Sequence, residues 1–372
     1  MISPRFFCET LSGLGVDFYT GVPDSLLKHL CAYLKENIDQ ASDITAANEG
    51  GAMALAAGHY LATGNPACVF MQNSGIGNAV NPLLSLLDQD VYSIPALLVI
   101  GWRGMPGVHD EPQHLKQGRV TPQLLEAMEI PFAILADTEE IAREQISSAI
   151  AYIRDTGCQM ALLIRKDIFE QYPVPHQDPL PYPSREEAIR EITDALLPST
   201  AVVSTTGMIS RELYELRDSS SRPHSSDFLT VGSMGHSSQI ALGIALAKPD
   251  RPVACLDGDG AFLMHLGNQA IVGSQHPGNM IHIVINNGAH DSVGGQDTVA
   301  MSIDIPAIAK ALGYDNATTV CSADKIKDAI ESAQKSGKLT LIEIRVRKGA
   351  RSDLGRPKTS PEDNKQAFMK FL

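Results

Sequence analysis

The sequence lacks the features of secreted and membrane-bound proteins. Its six cysteines are scattered, with no CxxC pair and no His-Cys cluster, so we expect reduced and mostly buried thiols. The N-terminus has no basic head followed by a long apolar run, and no apolar stretch approaches the roughly 20 residues that a membrane span needs. We therefore expect a cytoplasmic protein with no membrane partner.

The sequence is also poor in aromatic residues and in positive charge. It has 30 Lys and Arg against 43 Asp and Glu, which gives a formal net charge of -13. This balance argues against nucleic acid as a partner, because no basic excess is available to replace phosphate counterions. An acidic protein that binds an anionic ligand must gather positive charge locally or take it from a metal ion.

Short β-rich apolar runs alternate with alanine-rich segments of helical composition. The alternation predicts an α/β fold with parallel sheets and helices on both faces, and 372 residues suffice for two such domains. The predicted strands are 18–20, 44–46, 67–70, 96–100 and 161–164, then 201–203, 228–230, 253–256, 281–285 and 340–346. A proline-rich stretch between the halves predicts an extended connector. We place an N-terminal domain at 1–172, the linker at 173–186 and a C-terminal domain at 187–372.

Glycines and polar side chains follow two predicted strands of the second half, at the ends where parallel sheets bind ligands. Gly258-Asp259-Gly260 follows one strand, and Asn286-Asn287 follows the next after about 25 residues. The glycines let backbone amides approach an anion, and a helix predicted over 261–270 adds positive charge at its N-terminus. Carboxylate, amide and phosphate oxygens suit Mg²⁺. A Gly-Asp-Gly alone is more often a turn, but the Asn pair at this spacing favours a metal and phosphate site.

These motifs resemble those of the thiamine diphosphate-dependent decarboxylase superfamily, whose metal-diphosphate motif is GDG, about 25 residues, then NN. The resemblance implies two doubly wound parallel-sheet domains of thiamine diphosphate-binding type, with no middle domain, and thiamine diphosphate and Mg²⁺ as cofactors. It implies that Asp259 and Asn287 bind the metal through their side chains and Ala289 through its carbonyl. The other cofactor-binding residues that it implies in this half are Thr205, Thr206, Gly207, Gly232, Met234, Gly258, Gly260 and Ala261.

The first half has a glutamate, Glu49, at the start of a segment of very small and almost uncharged residues. A glutamate at a helix start is most often a surface partner of the helix dipole, but burial is plausible in such a segment. The run resembles the glutamate motif of the same superfamily, which implies that Glu49 bonds the pyrimidine ring and helps to form the nucleophilic ylide. Gln72, Asn73 and Ser74 resemble a cofactor-facing loop of the same domain. Because the superfamily builds each site from two chains, we expect a homodimer or a dimer of dimers.

Four further stretches, 19–27, 101–119, 286–296 and 349–357, resemble the branch of the superfamily that acts on pyruvate with an anionic group on C3. The resemblance implies that 3-phosphonopyruvate is decarboxylated to phosphonoacetaldehyde in phosphonate biosynthesis; 3-sulfopyruvate or another small 2-oxo acid is the alternative. Two basic clusters, within 103–119 and 347–358, suit such a substrate, because the planar guanidinium of arginine matches phosphonate oxygens. Any single arginine of a loop is more often simply solvated. The substrate-binding candidates are Arg103, His109, Arg119, Arg351 and Arg356.

A decarboxylase also needs a proton donor for the carbon that loses carbon dioxide. The candidates are His114, Asp24 and Ser25, and the sequence leaves open which of them protonates and which only orients. A helix over 361–371 is expected to fold over the site. A rival hypothesis is a nucleotide-binding or regulatory α/β protein whose glycine loops hold a different phosphate ligand; it leaves Glu49 without a role.

Overall fold

The structure, a computed structural model, describes residues 1–173 and 180–372. The chain divides into two compact units, Met1–His176 and Gln177–Leu372. Residues 174–179 of the predicted linker lie outside the described residues. The first helix of the second unit begins at Arg185, two residues before the predicted start of the C-terminal domain, because Ser184 caps it in a reciprocal capping box with Glu187.

The first unit contains a six-stranded parallel sheet with the order β2-β1-β3-β4-β6-β5. The central strands are almost wholly buried, as expected for a parallel sheet covered on both faces. The strands are β1 (Tyr19–Gly21), β2 (Asp43–Thr45), β3 (Ala67–Gln72), β4 (Ala96–Gly101), β5 (Phe132–Ile134) and β6 (Gln159–Ile164).

Helices cover both faces of this sheet. They are α1 (Pro4–Gly13), α2 (Lys28–Asn37), α3 (Glu49–Thr63), α4 (Ile76–Pro82), α5 (Pro112–Ala127) and α6 (Glu139–Thr156). Two apolar clusters form the core. Cys68 and Phe70 of β3 belong to one cluster, and Val69 and Met71 to the other, because successive side chains of a strand point to opposite faces.

The second unit repeats this plan with a parallel sheet of order β13-β14-β10-β9-β7-β8, plus a short antiparallel pair, β11-β12. Val202 and Val203 of β7 lie in two different apolar clusters, one on each face. The strands are β7 (Ala201–Ser204), β8 (Asp227–Leu229), β9 (Val253–Gly258), β10 (Met280–Asn286), β11 (Ala289–His290), β12 (Gln296–Asp297), β13 (Asn316–Val320) and β14 (Thr340–Arg345). The helices are α7 (Arg185–Ala195), α8 (Met208–Ser219), α9 (Ser237–Ala247), α10 (Asp259–Met264), α11 (Gly267–Gln275), α12 (Ile305–Ala311), α13 (Ile326–Ser336) and α14 (Pro361–Phe371).

The structure differs from the prediction at two edge strands, in the short pair β11-β12, which was not predicted, and in one helix. Strands β5 and β13 were not predicted, since β5 is half exposed and β13 is rich in Asn and Thr. The helix predicted over 261–270 is two helices, α10 and α11, because the chain leaves helical geometry at His265 (φ -131°, ψ 53°).

The C-terminal helix α14 has the predicted bounds but a different position. Its Asn364 bonds the backbone of β8 at Asp227 and Leu229, and Phe368 joins the core. The helix therefore covers the edge of the sheet and is not the expected lid.

No helix in the described ranges is long and apolar enough to cross a bilayer. All six cysteines are free thiols, and four of them are buried.

Candidate active site

In the second unit, the loops that follow β7, β8, β9 and β10 meet at the carboxyl edge of the sheet. A Cβ placed on Gly258 would lie 3.9 Å from Cγ2 of Thr205. One placed on Gly260 would lie 3.1 Å from Cε of Met234 and 2.7 Å from Cε1 of His290, so only glycine leaves room for these contacts. The structure thus brings together loops that the sequence analysis predicted separately.

The remaining predicted cofactor residues of this unit lie in the same loops. Gly207 has a left-handed φ of 96° and directly precedes the 12-residue helix α8, whose N-terminus favours a phosphate group. Ala261 is buried in α10, and its carbonyl lies 3.1 Å from the position that a Cβ on Gly235 would take. Thr206 and Gly232 are half-buried.

Asp259 is the first residue of α10 and is only 3% exposed. Burial raises its pKa to about 6, although hydrogen bonds from Thr298 and from the backbone N–H groups of Gly260 and Asn287 act in the opposite direction. Within 1–173 and 180–372, no Lys or Arg pairs with this carboxylate. A buried carboxylate without a cationic side chain beside it is suited to bind a divalent cation.

The two asparagines at the end of β10, Asn286 within the strand and Asn287 directly after it, have different surroundings. Asn286 is fully buried, and its amide nitrogen donates to Oε1 of Glu343 over 2.7 Å. The amide nitrogen of Asn287 donates to Oδ2 of Asp291 over 2.7 Å, and its amide oxygen accepts from the backbone N–H of Ala289 over 3.1 Å. The amide oxygen of Asn287 has a second lone pair that can bind a metal ion. Together with the Asp259 carboxylate and a backbone carbonyl, it offers the oxygen ligands that Mg²⁺ prefers, so these residues fit a divalent cation.

In the first unit, Glu49 follows β2, begins α3 and is 4% exposed. Asn78 donates its side-chain amide to Oε2 of Glu49 over 2.7 Å. A Cβ on Gly75 would lie 2.2 Å from Oε1, so the loop after β3 packs directly against the carboxylate. The structure therefore joins Glu49 to the loop that contains Gln72 and Ser74.

Asp24 follows β1 and is wholly buried. Its carboxylate accepts from Nε2 of Gln72 over 2.6 Å and from the backbone N–H of Leu26 over 2.9 Å. Burial raises the pKa of Asp24 above its ordinary value, although these hydrogen bonds and the charge of Arg103 oppose the rise. Ser74 donates to Oε1 of Gln72 over 2.6 Å, which fixes the orientation of the Gln72 amide.

The guanidinium of Arg103 lies between Asp110 and Ser25. Its Nε and one terminal nitrogen donate to the two oxygens of Asp110 over 2.8 Å and 2.5 Å, and the other donates to Oγ of Ser25 over 2.7 Å. The backbone N–H of Gly104 also donates to Asp110 over 2.8 Å. The predicted substrate residue Arg103 and the predicted catalytic residues Asp24 and Ser25 thus share one cluster.

His114 lies in the first turn of α5 and is 9% exposed. Burial and the positive charge of Arg103 lower its pKa to about 4, against the opposing charge of Asp110, so the imidazole is neutral near pH 7. In the described structure its Nδ1 is buried without a hydrogen-bond partner. A neutral imidazole with an unused ring nitrogen is suited to exchange a proton with a ligand.

Several predicted site residues are placed less favourably. The amide nitrogen of Asn73 donates to the backbone of Arg103 and to Thr121, both over 2.9 Å, so this side chain holds the neighbouring loop. Arg351 forms ion pairs with Glu186, Glu215 and Asp353, which compensate its charge. The side chains of His109, Arg119 and Arg356 are exposed.

Sequence analysis missed five residues of these clusters: Asn78, Asp110, Asp291, Thr298 and Glu343. Asn78, Asp110 and Asp291 stand within stretches that carried the resemblance, only a few residues from a predicted site residue. Thr298 and Glu343 had no local signal, because the fold brings them to the site from other strands and loops.

Two protein-family models match the chain, the N-terminal thiamine pyrophosphate-binding domain over residues 4–126 and the C-terminal one over residues 205–344. A phosphonopyruvate decarboxylase of Streptomyces viridochromogenes is 37% identical, and the match covers 100% of this chain and 95% of that protein. The chain belongs to the thiamine pyrophosphate-dependent decarboxylases. The expected two-domain fold without a middle domain, the decarboxylase class and the cofactor, thiamine pyrophosphate (thiamine diphosphate), are confirmed.

Two other decarboxylases of this family match over almost their full length. A phosphonopyruvate decarboxylase of Streptomyces hygroscopicus is 37% identical over 100% of this chain and 94% of its own. A sulfopyruvate decarboxylase of Methanosarcina acetivorans is 28% identical over 98% of this chain and 96% of its own.

Proposed function

We propose that this decarboxylase converts 3-phosphonopyruvate to phosphonoacetaldehyde and carbon dioxide, in phosphonate biosynthesis. The observation that carries the proposal is the whole-chain identity, which is higher to the two phosphonopyruvate decarboxylases than to the sulfopyruvate decarboxylase. Decarboxylation of 3-sulfopyruvate, or of another small 2-oxo acid, is the second candidate.

Thiamine diphosphate supplies a nucleophilic carbon and an acceptor for the electrons that the departing carboxylate leaves behind. Glu49 is the proposed partner of its pyrimidine ring. The support is a buried carboxylate that Asn78 holds on one oxygen and the Gly75 backbone confines on the other side. Gln72, Asn73 and Ser74 are the proposed cofactor-binding residues beside Glu49. Asn73 acts indirectly, because its side chain holds the neighbouring loop at Arg103.

Mg²⁺ is the proposed metal. The proposed ligands are the side chains of Asp259 and Asn287 and the backbone carbonyl of Ala289. The support is that the Asp259 carboxylate is buried near the amide oxygen of Asn287, and that within the described residues no Lys or Arg pairs with it. The residues proposed to hold the diphosphate or the pyrimidine in this unit are Thr205, Thr206, Gly207, Gly232, Met234, Gly258, Gly260 and Ala261. Ser233 next to Met234 has a φ of 52°, a rare value for a non-glycine residue, which supports a special role for this loop.

Asp24 and His114 are the proposed groups for proton transfer, and Ser25 orients them through Arg103. Burial favours the protonated form of Asp24, so this carboxyl group holds a proton to a higher pH than a solvated aspartate does. Arg103 is the principal proposed ligand of the phosphonate, because its charge lies beside both groups; Asp110 already pairs with its guanidinium, so a phosphonate would have to share or displace that carboxylate. His109, Arg119, Arg351 and Arg356 remain secondary candidates.

The proposed assembly is a cytoplasmic homodimer or dimer of dimers with its sites between chains. Helix α3, which begins at Glu49, exposes a face of small and apolar residues, Gly51, Ala54, Leu55 and Gly58. Close approach of a second copy would bury this face. The measurement is the molar mass in solution, for the wild type and for Leu55→Glu; a monomeric wild type contradicts the proposal.

The test of the substrate is a product assay with thiamine diphosphate and Mg²⁺ on phosphonopyruvate, sulfopyruvate and pyruvate. We expect phosphonoacetaldehyde, and a kcat/KM for phosphonopyruvate at least about tenfold above those for the other two acids. Faster turnover of sulfopyruvate would transfer the assignment to the second candidate. Glu49→Gln is the control for contaminating activity.

A further inference from the structure

We propose that Asp291 and Arg185 are positioning residues that hold the amide of Asn287 with its oxygen toward the metal. Neither side chain is a proposed ligand of metal, cofactor or substrate. The inference rests on the metal site proposed above and deepens it, because it concerns how one ligand is kept in its binding orientation.

Asp291 determines which way the Asn287 amide faces. The Nδ2 atom of Asn287 donates to Oδ2 of Asp291 over 2.7 Å. An ionised carboxylate only accepts hydrogen bonds, so the nitrogen must face Asp291 and the oxygen must face away. On that side the backbone N–H of Ala289 donates to the oxygen over 3.1 Å. A flipped amide would set oxygen against carboxylate and NH₂ against N–H, so both contacts oppose the flip.

Arg185 and the backbone keep Asp291 in place. One terminal nitrogen of Arg185 donates to Oδ2 of Asp291 over 2.9 Å, and the backbone N–H of Gly349 donates to the same oxygen over 3.0 Å. The other arm of the guanidinium bonds both oxygens of Glu212, over 2.8 Å and 3.0 Å. Arg185 is 4% exposed, so these charge-assisted bonds are little screened by water.

The geometry separates a positioning role from a purely structural one. The Glu212 arm of Arg185 joins α7 to α8, and the loss of this arm alone would lower stability without touching the loop. The Asp291 arm ends on the loop that contains Asn287. The neighbouring Asn286 is anchored independently by Glu343, so the end of β10 should stay in place when Asp291 is changed. A defect in Asp291 variants should therefore appear in metal binding.

Two variants and a matched control form the first part of the test. Asp291→Asn replaces an acceptor with a group that can pair with either face of an amide. Arg185→Lys removes the fork that spans two carboxylates. Arg217→Lys is the matched control, since Arg217 bonds both oxygens of the buried Asp227, over 2.8 Å and 2.8 Å, as Arg185 bonds those of Glu212. Mg²⁺ is titrated by calorimetry into each purified protein with saturating thiamine diphosphate, and no substrate is present.

We expect Asp291→Asn to weaken Mg²⁺ binding by about 10- to 100-fold and Arg185→Lys by a smaller factor, as for other outer-shell partners of metal ligands. Arg217→Lys should stay within about twofold of the wild type while its thermal midpoint falls. Asp291→Glu keeps a carboxylate, which only accepts hydrogen bonds, so its Mg²⁺ affinity should lie between those of the wild type and Asp291→Asn. If Asp291→Asn does not fold, the comparison of Arg185→Lys with Arg217→Lys decides the question.

Wild-type Mg²⁺ affinity in Asp291→Asn would overturn the inference, as would equal losses in Arg185→Lys and Arg217→Lys. Asp259→Ala separates this failure from failure of the metal site itself. Lost binding in Asp259→Ala with wild-type binding in Asp291→Asn refutes the positioning role alone. Wild-type binding in Asp259→Ala refutes the site on which the inference rests.

Discussion

Asn78 donates its side-chain amide to Oε2 of Glu49 over 2.7 Å, although 29 residues separate them. Asn78 lies in α4, which follows β3, and Glu49 begins α3, which follows β2; in the sheet, β1 lies between these two strands. Gly75 closes the other side of the carboxylate. The orientation of Glu49 is therefore set by Gly75 and Asn78 of the segment after β3 and not by its own helix, and changes in that segment should change catalysis.

Gly75→Ala should displace Glu49. The added Cβ would lie 2.2 Å from Oε1, so either the carboxylate or the backbone must move. Overpacking of this kind costs about 1–3 kcal/mol of folding free energy. We expect a lower free energy of unfolding together with a loss of most of the activity.

The control for this variant is Gly77→Ala, two residues later in α4, where an added Cβ meets nothing within 4 Å. Alanine in a helix interior stabilises by about 0.5–1 kcal/mol relative to glycine. Urea unfolding and kcat should therefore separate the two variants. Equal losses of activity in both variants would show that displacement of Glu49 by the added Cβ is not the cause of the loss.

Glu49→Gln should retain cofactor binding and lose turnover. Glutamine keeps the shape of the side chain and can still bond Asn78 through its amide oxygen, so the loop should hold. It cannot carry the charge that the pyrimidine ring requires of Glu49, and loss of a proton-transfer group lowers kcat by about 10²- to 10⁴-fold. The measurements are calorimetric affinity for thiamine diphosphate and steady-state kcat. Near-normal kcat would remove Glu49 from the proposed role.

The ends of the strands could be predicted from the sequence, and the partners of the site residues could not. Asp259 and Asn287 each stand directly after a buried strand, and Glu49 follows the half-buried β2 after a short loop; in each case a local pattern of apolar or small residues around a polar side chain reveals them. Asn78 and Asp291 act through contacts between loops, and nothing in their own segments indicates which side chain they meet. Arg351 shows the same limit: its basic cluster predicts an anion site, and the sequence does not indicate that Glu186 and Glu215, from distant positions, and the nearby Asp353 pair with its charge.

Asp259→Ala should weaken metal and cofactor together. The carboxylate is the one charged ligand proposed for Mg²⁺, and in the proposed site that ion would help to hold the diphosphate. We expect the affinities for Mg²⁺ and for thiamine diphosphate each to fall by at least about tenfold. Asp250→Ala, on the exposed turn after α9, is the control and should bind both as the wild type does. Unchanged affinity in Asp259→Ala would refute the metal assignment.

Arg103→Lys should impair use of the anionic substrate more than binding of the cofactor. Lysine cannot bond Asp110 through two parallel donors and also reach Ser25. Loss of charge-assisted hydrogen bonds of about 1.5–3 kcal/mol predicts a fall in kcat/KM of roughly 10- to 100-fold. Arg119→Lys, an exposed position of α5, should change kcat/KM much less. If both variants behave alike, Arg103 is not the principal phosphonate ligand.

His114 should make the stability of the first unit depend on pH. Its pKa is about 4 in the folded chain, against an ordinary value of 6.5, because burial and Arg103 oppose its charge while Asp110 favours it. Between these values the unfolded chain binds a proton that the folded chain does not, so the contribution of His114 to the free energy of unfolding falls as pH falls from 6.5 to about 4. Above pH 6.5 the full stability is present.

His114→Gln should remove part of this pH dependence, because glutamine binds no proton in either state. Trp102 is the only tryptophan, is buried in the first unit and donates to the backbone of Gly118 in α5 over 2.8 Å, so its fluorescence reports unfolding near His114. Urea unfolding at pH 7, 5.5 and 4.5 should show a smaller loss of stability in His114→Gln than in the wild type. His109→Gln is the matched control, at an exposed position of the loop before α5, and should keep the wild-type loss. Parallel curves for His114→Gln and the wild type would mean that His114 is protonated as readily in the folded chain as in the unfolded one.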